Sequence, residues 1–266
     1  MLPVVDKPGI QYVVEEAVAA GISDILIISG RSKKALEDHF DRSPELEATL
    51  ERAGKHEVAK ELQMIAELAN IHFVRQHSPR GLGHAVGMAR SFVGDEPFVV
   101  LLPDDLMAEE STLLDDMLTA HDRTGSSVVA LKRFGPDQIG SYGVVQPGPC
   151  DVEGLVNIMG LVEKPEASEA PSDLAIMGRY LLTPAVFGCI ERLNPGAGGE
   201  YQLTDALQAL LATESIFGLP FETGRYDTGN KLDWLRATVE LGLRHPQLGE
   251  GFRAALVDIV RREGIS

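Results

Sequence analysis

The sequence predicts an α/β protein, and three observations predict it. Two short apolar runs, Asp24-Ile-Leu-Ile-Ile-Ser and Phe98-Val-Val-Leu-Leu, have the near-continuous hydrophobicity of strands buried on both faces. Between and beside them lie segments with the i, i+3, i+4 apolar spacing of one-sided helices. Three stretches, the first of them the end of the Phe98 run, close an apolar run with charged groups suited to a phosphate: Leu101-Leu-Pro-Asp-Asp, Val162-Glu-Lys-Pro and Tyr226-Asp-Thr-Gly-Asn-Lys. Open α/β sheets bind their ligands beyond the carboxyl ends of the strands, so this placement fits the same architecture.

The elements follow in order. Pro8 suits the first turn of a helix, and Ile10, Val13, Val14, Ala17 and Val18 form its apolar stripe until Gly21 closes it. The run from Asp24 to Ser29 reads as a buried strand, followed by a helix from about Ser32 to Phe40. The charged segment from Pro44 to Asn70 is helical in composition, and Ile71 to Arg75 and Phe98 to Leu102 read as strands. A helix near Glu110 to Arg123 and a strand at Ser127 to Leu131 come next. Tyr142-Gly-Val-Val and Asn157 to Val162 read as paired strands about a turn at Pro147-Gly-Pro. Leu174 to Leu182 is another apolar run, with helices near Thr183 to Leu193 and Tyr201 to Ala212. Two helical stretches close the chain, with Leu232, Leu235 and Val239 on one face, a face of the kind that forms subunit contacts. No internal repeat or linker separates two independent domains.

The chain has 266 residues, 44% of them hydrophobic and 24% charged, ordinary globular usage. Its net charge of -16 and its scattered 24 Lys and Arg argue against nucleic acid or an anionic membrane as partner, because a backbone-binding surface needs a basic stripe. Such a protein must gather cations locally to hold a polyphosphate, which makes an Asp-bound Mg²⁺ the expected device. Cys150 and Cys189 lie in no CxxC or Cys/His cluster and read as inert thiols. With no basic and apolar leader and no apolar stretch of about 18 to 20 residues, a cytoplasmic place is expected.

Asp104 emerges at a strand end, where a hard cation and a phosphate could reach it, with Asp105 as rival; a simple turn is the plainer alternative. Asp227 reads equally as a turn or helix cap, but two carboxylates facing one another would hold one Mg²⁺ and leave positions for water and phosphate oxygens. Glu163-Lys164 sets an acceptor beside a cation, or is a surface ion pair. Arg80-Gly-Leu-Gly-His-Ala lacks the spacing of a dinucleotide or Walker loop, and a tight turn into a helix explains it as well as a phosphate cradle does. His84 reads as structural rather than as a catalytic base.

Taken together, Arg75-Gln76 with Gly81-Leu-Gly-His-Ala, Leu102-Pro-Asp, Tyr142-Gly-Val-Val, Val162-Glu-Lys-Pro, Gly178-Arg-Tyr, Glu200-Tyr-Gln-Leu-Thr-Asp-Ala and Asp227-Thr-Gly-Asn-Lys-Leu resemble the bacterial UTP:glucose-1-phosphate uridylyltransferases, also called UDP-glucose pyrophosphorylases. The resemblance runs from Met1 to about Phe252. It implies a Rossmann-like nucleotidyltransferase fold with a mixed, mainly parallel sheet flanked by helices. Residues 1–228 would form the nucleotidyltransferase domain, and 229–266 a C-terminal helical segment available for subunit contact in a homo-oligomer. It also implies transfer of a uridylyl group from UTP to glucose 1-phosphate with Mg²⁺ as cofactor. Position by position, Asp104 and Asp227 match the metal ligands, Gln76 and Gly81 the uracil contacts, Gly143 and Glu163 the hexose contacts, and Lys164 the lysine that grips the sugar phosphate.

Family members carry a first strand and a Gly-x-Gly-Thr-Arg loop ahead of the stretch at which this chain starts. The resemblance therefore implies that the chain as written transfers uridylyl groups poorly or not at all, a misplaced start codon being the expected reason. A relative using dTTP would share the sheet, the metal site and the hexose site. A catalytically silent sugar-nucleotide-binding protein is the competing reading of another class.

Overall fold

The computed structural model describes residues 2–31 and 33–264. Met1, and Ser32 at which the second helix was expected to begin, lie outside them. Strands β1 (Pro3–Val4) and β2 (Lys7–Pro8) form a small antiparallel pair that leads into α1 (Gly9–Ala19). Val13, Val14 and Ala17 of α1 are buried, as the stripe predicts, and Ile10 and Val18 partly so, while Tyr12, outside the stripe, is buried as well. Then follow β3 (Asp24–Ser29), α2 (Lys34–Phe40), α3 (Pro44–Arg52), α4 (His56–Ala66) and β4 (Asn70–Arg75). The long helical segment is thus two helices, interrupted where Gly54 takes a φ of 71°, a left-handed conformation natural to glycine.

The second half opens with α5 (Leu82–Gly87), α6 (Arg90–Val93), β5 (Phe98–Leu101), β6 (Asp105–Met107), α7 (Leu113–Thr124), β7 (Ser127–Arg133) and α8 (Pro136–Ile139). It continues through β8 (Gly143–Gly148), β9 (Val156–Glu163), β10 (Leu174–Leu182), α9 (Ala185–Ile190) and α10 (Leu203–Leu210). The chain ends with β11 (Ile216–Pro220), β12 (Arg225–Asp227), α11 (Lys231–Arg244) and α12 (Gly249–Arg262).

The main sheet has six strands in the order β5-β10-β7-β11-β9-β8. It is mixed, but the expectation of a mainly parallel sheet is corrected: within it only β7 and β11 run parallel, and the other pairings are antiparallel. A separate parallel pair, β3 with β4, runs in register from Asp24 opposite Asn70 to Ser29 opposite Arg75. The apolar runs misled because a strand buried on both faces looks alike in either orientation; all nine residues of β10 are buried, yet it runs antiparallel to both main neighbours. The turn expected at Pro147-Gly-Pro is also displaced. Pro147 and Gly148 continue β8 past a register shift, and the reversal comes in residues 149–155.

Helices α9 and α10 cover one face of the sheet through Val186, Phe187, Leu203 and Leu207, while α7 covers the other through Leu113 and Met117. Helix α1 joins two cores. Its Val14 packs with Ile27 of β3, and its Tyr12 and Val13 pack with Leu106 of β6, Tyr226 of β12 and Ala237 and Leu241 of α11. Helix α11 is therefore anchored, through Ala237 and Leu241, in a core that it shares with Val4 near the first residues of the chain. The inward side of α11 is Ala237, Leu241 and Gly242, whereas Leu232 and Leu235 are exposed. Between β3 and β5 runs an apolar slot of about 690 Å³, lined among others by Leu26, Ile28, Val86, Val93, Val100 and Leu102. Among the described residues no helix is long and apolar enough to cross a membrane.

Candidate active site

The turn between β5 and β6 separates two adjacent aspartates. Asp105 enters β6 and is buried; its Oδ2 accepts from Gly178 N at 2.8 Å and its Oδ1 from Arg225 Nε at 2.6 Å. Burial works against the charge of Arg225, but Asp105 more than reverses this and raises its pKa. That pair consumes both oxygens of Asp105, so the rival candidate is structural. Asp104 stays at the surface, and its backbone carbonyl is fixed by Thr228 N at 2.7 Å and Thr228 Oγ1 at 3.0 Å.

Strand β12 lies antiparallel to β6, with Asp227 opposite Asp105. Asn230 rather than Asp227 caps α11, taking Leu232 N at 2.9 Å, which frees Asp227 from the capping role. Gly229 sits between the carboxylates: a Cβ there would lie 3.0 Å from Asp227 Oδ1 and 3.9 Å from Asp104 Oδ2. Partial loss of water, then Asp105 and Asp227 nearby, push the Asp104 carboxyl above its ordinary value. Such crowding of carboxylates favours a cation.

The second cluster forms where β8 meets β9, with Gly143 opposite Glu163. Thr204, at the start of α10, donates to Glu163 Oε2 at 2.6 Å, and a Cβ on Gly143 would fall 2.8 Å from the Thr204 hydroxyl. Only glycine leaves that contact intact. Lys164 follows with a φ of 45°, unusual for a residue with a side chain; its N–H donates to Tyr142 O at 3.0 Å, and its half-exposed side chain places Nζ 3.8 Å from Glu163 Oε1.

The third cluster is the loop after β4. Gly81, at a φ of 96°, and Gly83 press against residues 200–202; a Cβ on Gly81 would lie 2.6 Å from Tyr201 O. Gly83 N donates to Tyr201 O at 2.8 Å and Tyr201 N to Arg80 O at 2.7 Å. The loop is thereby clamped to the segment that leads into Thr204.

These clusters adjoin. Tyr201 and Thr204 link the Gly81 loop to Glu163, Lys164 bonds Tyr142, and the Arg225 guanidinium lies 5.6 Å over the Tyr142 ring while bridging Asp105 and Asp227. Buried Tyr180, its hydroxyl pKa raised first by burial, also feels Glu163, Asp105 and Asp104. The family model for nucleotidyl transferases matches residues 1–242.

The chain belongs to the nucleotidyl transferase family. It is 47% identical over 263 residues to the UTP–glucose-1-phosphate uridylyltransferase YngB of Bacillus subtilis, a match that covers 99% of this chain and 88% of that one. Among solved structures it resembles a UTP-bound UGPase from Acinetobacter baumannii, with a TM-score of 0.88 and 37% identity over 97% of this chain and 90% of that one. It also resembles a UDP-glucose pyrophosphorylase complexed with UDP-glucose, with a TM-score of 0.82 and 36% identity over 92% of this chain and 90% of that one.

For a nucleotidyl transferase the donor set suits Mg²⁺. That ion keeps several waters and takes one or two carboxylates plus substrate phosphates, and Asp104 and Asp227 offer two while no group of three ligating side chains gathers among the described residues. Asp227 is partly engaged, since Arg225 Nη2 approaches its Oδ2 at 3.5 Å and Gly229 N its Oδ1 at 3.0 Å. Arg179, Thr204 and Arg225 escaped the sequence reading as supporting residues. Each acts on a partner more than 40 positions away, and no local pattern announces such a pairing.

Proposed function

We propose that this chain transfers a uridylyl group from UTP to glucose 1-phosphate, forming UDP-glucose and pyrophosphate. The observation that carries the reading is the meeting of two strand-end carboxylates, Asp104, which forms no ion pair among the described residues, and Asp227, only partly engaged by Arg225, with the Glu163-Lys164 pair through the Tyr142–Arg225 contact. In this reading Gln76 and Gly81 receive the uracil, Gly143 and Glu163 the hexose, and Lys164 the sugar phosphate. A Mg²⁺ held by Asp104 and Asp227 would supply charge neutralisation at the triphosphate.

The nucleophile is a phosphate oxygen of glucose 1-phosphate, already anionic at neutral pH, attacking the α-phosphorus in line as pyrophosphate leaves. No general base is needed, so the chain's own contribution is alignment and charge stabilisation. Thr204 turns Glu163 toward the hexose side, and the left-handed backbone at Lys164 aims its ammonium at the incoming phosphate. Two unpaired cysteines, Cys150 and Cys189, support a cytoplasmic setting. The exposed Leu232 and Leu235 of α11 and Val257 and Ile259 of α12 support a homo-oligomer.

Pyrophosphate release from UTP and glucose 1-phosphate with Mg²⁺, with dTTP run in parallel, tests the assignment. Release that requires UTP and disappears in Asp227→Asn is expected. Binding of UDP-glucose with no release, both from this chain and from a version preceded by the family's strand and Gly-x-Gly-Thr-Arg loop, would establish the silent binding protein instead.

A further inference from the structure

The base end of the site holds a pairing to which the proposed reaction gives no role. Gln76 directly follows β4, and its backbone N–H donates to Ser29 O at 2.8 Å, so the base of its side chain is fixed. Its Nε2 lies 2.6 Å from Nδ1 of His84 in α5. The imidazole is tilted against Tyr201 at 6.3 Å between ring centroids, and α5 is tied to that residue through Gly83 N. Both members of the pair are therefore anchored independently. An amide nitrogen only donates, so in this pair Nδ1 is the acceptor and takes one of the two amide hydrogens of Gln76. The amide then presents Oε1 and its second N–H side by side, an acceptor next to a donor.

We propose that His84 is a positioning residue for base selectivity, locking the Gln76 amide in the orientation that matches uracil and opposes cytosine. The inference rests on reading Gln76 as the base contact. Uracil offers an N3–H donor beside a carbonyl acceptor, complementary to that amide. Cytosine offers a bare N3 beside an amino group, so each position meets its like. A flipped amide would suit cytosine, but it would set Oε1 against the lone pair of His84 Nδ1. Polar groups that face a mispaired partner away from water are what give hydrogen-bonding sites their discrimination.

Equilibrium binding of UDP-glucose and CDP-glucose, measured by titration calorimetry with Mg²⁺, separates the possibilities without requiring turnover. The unaltered chain prefers UDP-glucose. His84→Phe, which keeps a ring against Tyr201 but removes the acceptor, lowers the preference at least about tenfold. His84→Asn, whose Oδ1 takes the place of Nδ1, retains it to within about threefold. Should His84→Phe fail to fold by circular dichroism, His84→Ala replaces it with the same expected loss. A His84→Phe protein that weakens both ligands equally overturns the inference, because a merely structural histidine would behave so. Gln76→Leu distinguishes the two levels: an unchanged preference there, or no measurable binding of either ligand by the unaltered chain, overturns the base reading itself and the inference with it. Lost preference in Gln76→Leu but not in His84→Phe overturns the inference alone.

Discussion

Asp104 and Asp105 are chemically identical neighbours whose surroundings assign them opposite work. Asp105 has its charge cancelled by Arg225 in the interior, whereas Asp104 lies near Asp227, feels Arg225 only weakly and forms no ion pair among the described residues. Its raised pKa means that the folded chain holds the proton more firmly than the unfolded chain does, so ionisation above the ordinary carboxylate range costs stability. Asp104→Asn is therefore expected to abolish pyrophosphate release while raising the melting temperature in metal-free buffer by up to about 3 °C. A lower melting temperature would count against the crowding. Lys164 allows a similar separation of activity from stability. Its φ of 45° carries a steric cost of roughly 1–2 kcal/mol for a residue with a Cβ. Lys164→Ala should lose roughly 10² to 10³ in turnover, as removal of one preorganised charge-stabilising group does. Lys164→Gly should lose as much and gain up to about 1 kcal/mol in urea unfolding, glycine being unstrained there. A loss below about threefold in either would remove Lys164 from the mechanism.

At the scale of elements, the site depends on loops held by buried polar groups. Arg179 on β10 is almost wholly enclosed; it grips both oxygens of Glu16 on α1, at 2.8 and 2.6 Å, and donates to Leu102 O at 3.2 Å and Asp105 O at 2.6 Å. It thereby fastens the Asp104 turn to α1. Arg179→Met leaves Glu16 uncompensated and should cost about 3–5 kcal/mol in urea unfolding, a mutation that no contact with substrate would explain. Gly143→Ala should act differently: its Cβ displaces Thr204 and Glu163, raising the KM for glucose 1-phosphate more than that for UTP. Equal effects on both substrates would mean that the hexose side is wrongly placed. These dependencies show what could be read beforehand. Asp104, Asp227, Glu163 and Lys164 stood out because charge at the end of an apolar run is a local signal. Thr204 and Arg225 gave none. Strand β11 was missed for a related reason: Gly218 and Pro220 are poor strand residues, yet Gly218 is required where a Cβ would lie 2.1 Å from Leu131 Cδ1. The orientation of β10 was equally hidden, since apolar runs carry no direction.

For the whole molecule, the slot between β3 and β5 is the feature with the largest physical consequence. Strand β3 pairs with β4 and β5 with β10, and the described residues give neither strand a second partner. Two strand edges thus flank an apolar space of about 690 Å³. Helix α1 ties the β3–β4 pair to the rest through Val13 on one core and Val14 on another, so the slot does not simply collapse. Unpaired edges beside apolar surface invite association with other strands and attract apolar dyes. Ile25, Leu26, Ile27 and Ile28 all line the slot, but alternation along β3 also packs Ile25 and Ile27 into the core with α1, whereas Leu26 and Ile28 lie outside that core. Ile28→Lys should therefore lower the fluorescence of a bound hydrophobic dye by roughly half and slow aggregation on heating, with little change in melting temperature. Ile27→Lys, one position away, removes an apolar side chain from the α1 core and should unfold the protein or lower its melting temperature sharply. If both substitutions destabilise alike, Ile28 belongs to a closed core and the slot is not open in solution; if Ile28→Lys alone spares the fold and quiets the dye, the two edges are accessible in the free protein.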